Sequence, residues 1–261
     1  MDYVDLILVC ALSVPFIQLA LRMRVLTLGG GLVAAGIALC VVLARGWIYL
    51  APLFFFLLSG VLLGRLNTNS RTDAKHGRPR DAMQVFCNGG IYALLATTHD
   101  PHAGIWMSIS ICTATCDTWA SELGMYFRWP TVSIVNWRRA EPGLSGGISL
   151  PGTLGGLAGS FLMGVFMHGL LSAELLLDGV FAATITVVGV ALAAMLFSVF
   201  AFGGMLLDSL LGATLQVKYN DGHGLSDAGT RQVAGSRWMT NDVVNLVSNA
   251  ITVAVAVWVL G

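Results

Sequence analysis

Four carboxylates sit where an otherwise apolar chain has least reason to keep them. Asp117 and Glu122 lie in the run Cys116-Asp117-Thr118-Trp119-Ala120-Ser121-Glu122-Leu123-Gly124. Asp208 follows Gly203-Gly204 and precedes Ser209 and Gly212, and Asp242 lies in Asn241-Asp242-x-x-Asn245-x-x-Ser248-Asn249. A charge near a bilayer centre costs about 2.5–3.5 kcal/mol on the insertion scale, so a carboxylate kept there points to function. Carboxylate and amide oxygens are hard donors that suit Mg2+, which keeps few protein ligands and bridges to substrate phosphates. Two more clusters fit that chemistry. Arg80 offers a guanidinium fork matched to phosphate, beside Asp81, Gln84 and Asn88, whose spacing puts them on one helical face; helix capping is the competing reading. Gly143-Leu144-Ser145-Gly146-Gly147-Ile148-Ser149-Leu150-Pro151-Gly152-Thr153 is a glycine-rich turn before a helix, where amides and a helix N-terminus can receive an anion. It is not a Walker A loop, because no Lys-Ser/Thr follows.

Helical spacing divides the first run. Thr113, Asp117, Ala120, Ser121 and Gly124 share a face, whereas Glu122 points roughly 140° away from Asp117. Either the helix breaks there, or Glu122 pairs with an arginine such as Arg138 or Arg139. The residues together predict metal-dependent phosphate chemistry. Asp117, Asp208 and Asp242 are the expected catalytic and metal-holding groups, with Glu122 a further metal ligand.

The elements that must position these groups are membrane helices. Of 261 residues 56% are hydrophobic and 11% charged, against about 25% charged in a soluble domain, which excludes an ordinary water-facing domain. Apolar runs of near-spanning length fall at 3–21, 26–44, 47–64, 84–98, 103–118, 151–171, 179–201 and 242–260. The fourth and fifth are short and continue as helix into the flanking polar segments. The fold expected is all-α: a polytopic bundle of about eight transmembrane helices in a single domain, 1–261, with the motifs in a core at 80–250. Residues 179–216 are long enough for two spans; Gly203, Gly204 and Gly212 predict one span and a broken or re-entrant piece. The glycines at 29–31, 36, 60 and 64 are read as close helix packing.

Thirteen of the 14 Lys and Arg residues fall in connections 22–25, 65–83, 119–150 and 202–241, and only Arg45 falls in the opposite set. The positive-inside rule then predicts a multi-pass protein of the cell (inner) membrane, both termini outside and the polar clusters facing the cytoplasm. His99, Asp100, His102, Glu174 and Asp178 become solvated outer caps. The net charge is zero, and no nucleic acid is expected as a partner. The five cysteines lie in or beside apolar runs and read as small buried hydrophobes rather than a zinc site.

Five ordered motifs carry a family resemblance: Arg80-Asp81…Gln84-Val85…Asn88-Gly89, Asp117-Thr118-Trp119-Ala120-Ser121-Glu122-x-Gly124, Ser145-Gly146-Gly147-x-Ser149…Gly152-Thr153, Asp208-Ser209-Leu210-Leu211-Gly212-Ala213…Gln216, and Asn241-Asp242…Asn245…Ser248. They resemble the integral membrane family that includes phytyl-phosphate kinase of tocopherol (vitamin E) synthesis, itself distantly similar to phytol and dolichol kinases and CDP-diacylglycerol synthase. The resemblance implies transfer of a phosphate from CTP or another nucleoside triphosphate to an isoprenyl monophosphate, with Mg2+, at a membrane. On the substrates it implies Arg80, Asp81, Asn88, Ser121, Ser145, Gly146, Gly147, Ser149, Thr153, Ser209, Asn241 and Asn245. The chain departs from the family pattern at 217–240, which contains no cysteine. Two alternatives stand beside the kinase: a secondary transporter using a broken helix, and a CTP-using cytidylyltransferase.

Overall fold

Apolar segments in a bilayer must satisfy their backbone internally, and helices do so within one segment. In the computed structural model, which describes residues 3–67, 78–177, 187–220, 225–227 and 229–261, eight α-helices hold most of the described residues. They are α1 (Tyr3–Arg22), α2 (Leu28–Arg45), α3 (Ala51–Leu66), α4 (Ala82–Ala96), α5 (Ala103–Phe127), α6 (Leu150–Leu177), α7 (Val187–Thr214) and α8 (Asn241–Leu260). Arg71, Lys75, Asp178, Asp221 and His223 lie outside the described residues, as does the side chain of Glu174.

Six segments among the described residues are long and apolar enough to cross a membrane: α1, α2, α3 with the short 3-10 turn before it, α6, α7 and α8. The protein is an integral, multi-pass membrane protein. α4 is too short to be counted by length, and α5 carries Ser108, Ser110, Thr113 and Thr115 along its middle. α5 tolerates them because it is the centre of the bundle, packed against α3, α4, α6, α7 and α8. Its residues 106–116 are all buried. The hydroxyls of Ser108, Thr113 and Thr115 turn back onto the carbonyls of Gly104, Ile109 and Ile111 at 2.7, 2.8 and 2.7 Å.

The expected break in the seventh segment does not occur. α7 runs unbroken through Gly203, Gly204, Asp208 and Gly212. The physical reason is packing: a Cβ on Gly204 would collide with Thr252 of α8 and Thr113 of α5, so glycine there brings helices together rather than opening one. At 25 and 28 residues, α5, α6 and α7 measure about 38 to 42 Å. A hydrocarbon core is about 30 Å thick, so they project beyond it.

The odd-numbered helices end, and the even-numbered ones begin, at one end of the bundle, and all the expected polar motifs are there. The opposite end holds the start of α1 and the end of α8: Trp47 Nε1 donates to Asp5 at 2.7 Å, and Gly261 lies beside the Trp106 ring. Arg45 is at that end too, donating to the carbonyls of Ala96 and Thr98 at 3.1 and 3.0 Å. Asp100 accepts there from the His102 amide at 2.7 Å and from Trp106 Nε1 at 3.0 Å, bonds that hold its carboxyl below the usual range.

Two short antiparallel ribbons fold the long connections onto the motif-bearing end. β1 (Val132–Ser133) pairs with β2 (Gly147–Ile148) between α5 and α6, and β3 (Lys218–Tyr219) pairs with β4 (Gln232–Ala234) between α7 and α8. Cys87, Cys112 and Cys116 are buried, while Cys10 and Cys40 are exposed on the outer face of the bundle; all five are free thiols.

Candidate functional site

All but one of the expected site residues, drawn from the helices and their connections at this end of the bundle, line one cavity of about 370 Å³. Its wall includes Arg80, Asn88, Asp117, Ser121, Glu122, Ser145, Gly146, Gly147, Ser149, Thr153, Asp208, Ser209, Asn241, Asp242 and Asn245. Residues as far apart in sequence as Arg80 and Asn245 thus meet because six helices, α3 to α8, contribute to the wall of the same space.

Asp81 is the exception. Its side chain accepts from the Gln84 amide at 3.0 Å, and Gln84 Oε1 accepts from the Asp81 amide at 3.1 Å. This capping box starts α4, and Asp81 is not among the residues that line the cavity. Asn88 Nδ2 donates to the Gln84 carbonyl at 2.8 Å, and of the expected polar stripe Gln84 and Asn88 line the cavity.

Arg80 enters from the connection before α4. Its guanidinium lies 5.1 Å from the centroid of the Phe56 ring, a cation–π arrangement. It occupies space that a Cβ on Gly60 would fill. Burial pulls this guanidinium below its ordinary pKa, and the Glu122 carboxylate opposes that shift. Glu122 also accepts from Asn67 Nδ2 at 2.7 Å, and the same nitrogen reaches the Glu122 carbonyl at 3.0 Å. The helix does not break at Glu122, and its arginine neighbour is Arg80 rather than Arg138 or Arg139. Glu122 is better placed to hold Arg80 and the end of α3 than to ligate an ion.

Asp208 is held by α8. Its Oδ2 accepts from Ser248 Oγ at 3.0 Å and, with the Asn245 amide turned to face it, from the Asn245 nitrogen at 3.0 Å; that nitrogen also reaches the Asn241 carbonyl at 2.9 Å. Asp117 is its electrostatic neighbour across the cavity. Thr240 caps α8, accepting from the Val243 amide at 3.4 Å.

The glycine turn holds an anion, but an internal one. Asp227 Oδ2 accepts from both the Ser145 amide, at 2.9 Å, and the Ser145 hydroxyl, at 2.5 Å. Lys218 Nζ, nearly buried, donates to Asp227 Oδ1 at 3.0 Å and to the Ser145 carbonyl at 2.7 Å. Gln216 Nε2 donates to Ser145 Oγ at 2.8 Å. Other amides of the turn are taken as well: Gly147 donates to Leu144, Thr153 to the Ser149 carbonyl, and Gly152 to Ser149 Oγ. The amides expected to cradle a phosphate are therefore largely bonded within the protein, as buried amides must be. Gly146, at φ +90°, approaches Ala213 of α7 so closely that any Cβ would overlap it. Gln216 closes the Asp208 motif, but Lys218 and Asp227 were not separable from their loop by sequence reasoning, since nothing in their spacing points to Ser145.

Among the described residues no three His, Cys, Asp or Glu side chains form a ready-made metal cluster. Mg2+ commonly needs only one or two protein carboxylates, with waters and substrate phosphates completing the shell. Asp117, Asp208 and Asp242 on one cavity wall are hard oxygen donors of the kind such an ion takes.

The sequence model of the family described as "Integral membrane protein DUF92" matches residues 11–253. An uncharacterized membrane protein of Methanocaldococcus jannaschii is 35% identical over 125 residues, 46% of this chain and 52% of its own. Protein PGR of Arabidopsis thaliana is 26% identical over 261 residues, covering 88% of each chain. An uncharacterized membrane protein of Synechocystis is 26% identical over 157 residues, 59% of this chain and 48% of its own. The match thus spans about half the length of the archaeal and cyanobacterial relatives. No solved structure matches this chain.

Proposed function

The chain belongs to the DUF92 family of integral membrane proteins, and on that premise we propose that it is a kinase of a membrane isoprenyl monophosphate, of the phytyl or geranylgeranyl phosphate type, using CTP or another nucleoside triphosphate. The observation that carries this reading is the shared cavity, whose wall brings a buried guanidinium, Arg80, together with the carboxylates Asp117 and Asp208 at one end of the membrane-helix bundle. Phosphoryl transfer asks a protein mainly for positioning and charge stabilisation.

The acceptor needs no side-chain base, because a phosphate monoester oxygen is already ionised and nucleophilic. It attacks the γ-phosphorus, the bond from γ-phosphorus to the β,γ-bridging oxygen breaks, and the nucleoside diphosphate leaves with that electron pair. Arg80 orients the acceptor phosphate with its planar fork. Ser248 and Asn245 fix the Asp208 carboxylate, which with Asp117 and Asp242 would hold Mg2+ on the nucleotide. When bound, the ion neutralises charge on the transferring phosphoryl group. Ser121, Ser149, Thr153 and Ser209 supply hydroxyls to the phosphate chain. The glycine turn serves as the wall against which it lies, its own anion seat being filled by Asp227. The cavity faces the cytoplasm in this reading, since the basic residues gather at its end.

The test is product identity. Purified protein given an isoprenyl monophosphate, Mg2+ and CTP should release CDP and form the lipid diphosphate. Release of pyrophosphate with a cytidylyl-lipid product would instead make it a cytidylyltransferase.

A further inference from the structure

A second cavity, of about 110 Å³, opens between α1, α2, α3 and α4. Its wall is apolar, built from side chains such as Ile37, Leu53, Phe56 and Val85, and the edge-to-face pair of Phe16 on α1 with Phe54 on α3, at 5.7 Å, borders it. Ala34, Ala38 and Gly89 keep it open where larger side chains would close it: a Cβ on Gly89 would already press on Ile37 at 3.1 Å. The groove has one polar end, formed by Arg80, Gln84 and Asn88, and these three residues also line the large polar cavity. The two spaces therefore meet at Arg80.

Any hydrocarbon from the bilayer would be content in an apolar groove, so the groove alone selects nothing. Selection comes from its mouth. A guanidinium is weakly hydrated and stacks on aromatic faces, and Arg80 rests on Phe56, itself a wall of the groove. A ligand that fills the groove with a chain and ends in one phosphate can satisfy both spaces at once. A two-chain zwitterionic phospholipid has a second chain to place and a cation to set beside Arg80. We propose that this α1–α4 groove is the binding site for the hydrocarbon tail of the acceptor lipid, with its phosphate on Arg80, and that the groove sets which chain lengths are accepted. The proposal rests on the reading of the protein as a lipid-monophosphate kinase.

The test uses full-length protein in nanodiscs without nucleotide. A prenyl monophosphate carrying a diazirine in its tail is photolysed, and the labelled peptides are identified by mass spectrometry. Labels should fall on α2 and α3, around residues 34–38 and 53–57. Unlabelled prenyl monophosphate should suppress them at least tenfold, and phosphatidylcholine should not. A38F, and independently A34L, should cut labelling there and lower the ratio of transfer on a long-chain acceptor to transfer on a five-carbon acceptor at least tenfold. Labels on α6–α8, or labelling that phosphatidylcholine suppresses equally, would overturn the proposal. Labelling in the groove without transfer to any acceptor would sink the kinase reading and leave the groove standing. Transfer with labels elsewhere would sink the groove alone.

Discussion

Arg80 illustrates how much of the account depends on the shape of a single side chain. Its guanidinium lies over Phe56, fills the gap left by the missing Cβ of Gly60, and interacts with Glu122. Charge-assisted hydrogen bonds are worth about 1.5–3 kcal/mol, and lysine keeps the charge but loses the planar fork and the stacking. Arg80→Lys is therefore expected to raise the KM for the acceptor about tenfold or more, with kcat changed much less; steady-state kinetics at saturating nucleotide would show it. An unchanged KM would remove Arg80 from the acceptor phosphate. Asp208 makes a complementary case. Its depth in apolar sequence singled it out, and its place on the cavity wall was legible; the partners that hold it, Ser248 and Asn245, were legible only as a polar face of a neighbouring helix.

At the level of elements, sequence reasoning succeeded where a signal was periodic and failed where contact was long-range. α5 continues past its apolar run to Phe127 because its small and polar residues beyond Cys116 are partly exposed and line the cavity, and its length was readable. The continuity of α7 was not, because Gly203-Gly204 looks like a breaker by propensity, whereas in this bundle Gly204 is where α7 meets α5 and α8. Asp81 and Gln84 fit a capping box as well as a polar stripe, and local hydrogen bonding won. The Lys218–Asp227 pair on the glycine turn gave no sequence signal at all. It is nearly buried, and breaking such a pair by removing one partner costs about 3–5 kcal/mol, because the other charge is left uncompensated. Asp227→Asn should thus lower the thermal midpoint in detergent by several degrees, and the double variant Lys218→Met/Asp227→Leu should recover part of the loss. A double variant as unstable as the sum of its single changes would show that the two charges do not act as a pair.

For the whole molecule, alternating helix directions gather the polar motifs at one end and the start of α1 and the end of α8 at the other. With its basic residues at the cavity end, the protein is expected to carry that end in the cytoplasm. In a cysteine-free background, a cysteine appended after Gly261 should react with a membrane-impermeant maleimide on intact cells, and one replacing Arg138 only after permeabilisation. The reverse pattern would turn the site outward, away from cytoplasmic nucleotide. The central claim is tested most directly by following the γ-phosphate itself. Protein in nanodiscs is given geranylgeranyl monophosphate, Mg2+ and γ-labelled CTP, beside Asp117→Asn, Asp208→Asn and Asp242→Asn. The account predicts labelled lipid diphosphate with stoichiometric CDP, and a loss on the order of 100-fold or more in Asp117→Asn and Asp208→Asn, as removal of an electrostatic stabiliser at a reacting centre gives. No labelled lipid with any nucleoside triphosphate, or full activity in all three variants, would contradict it.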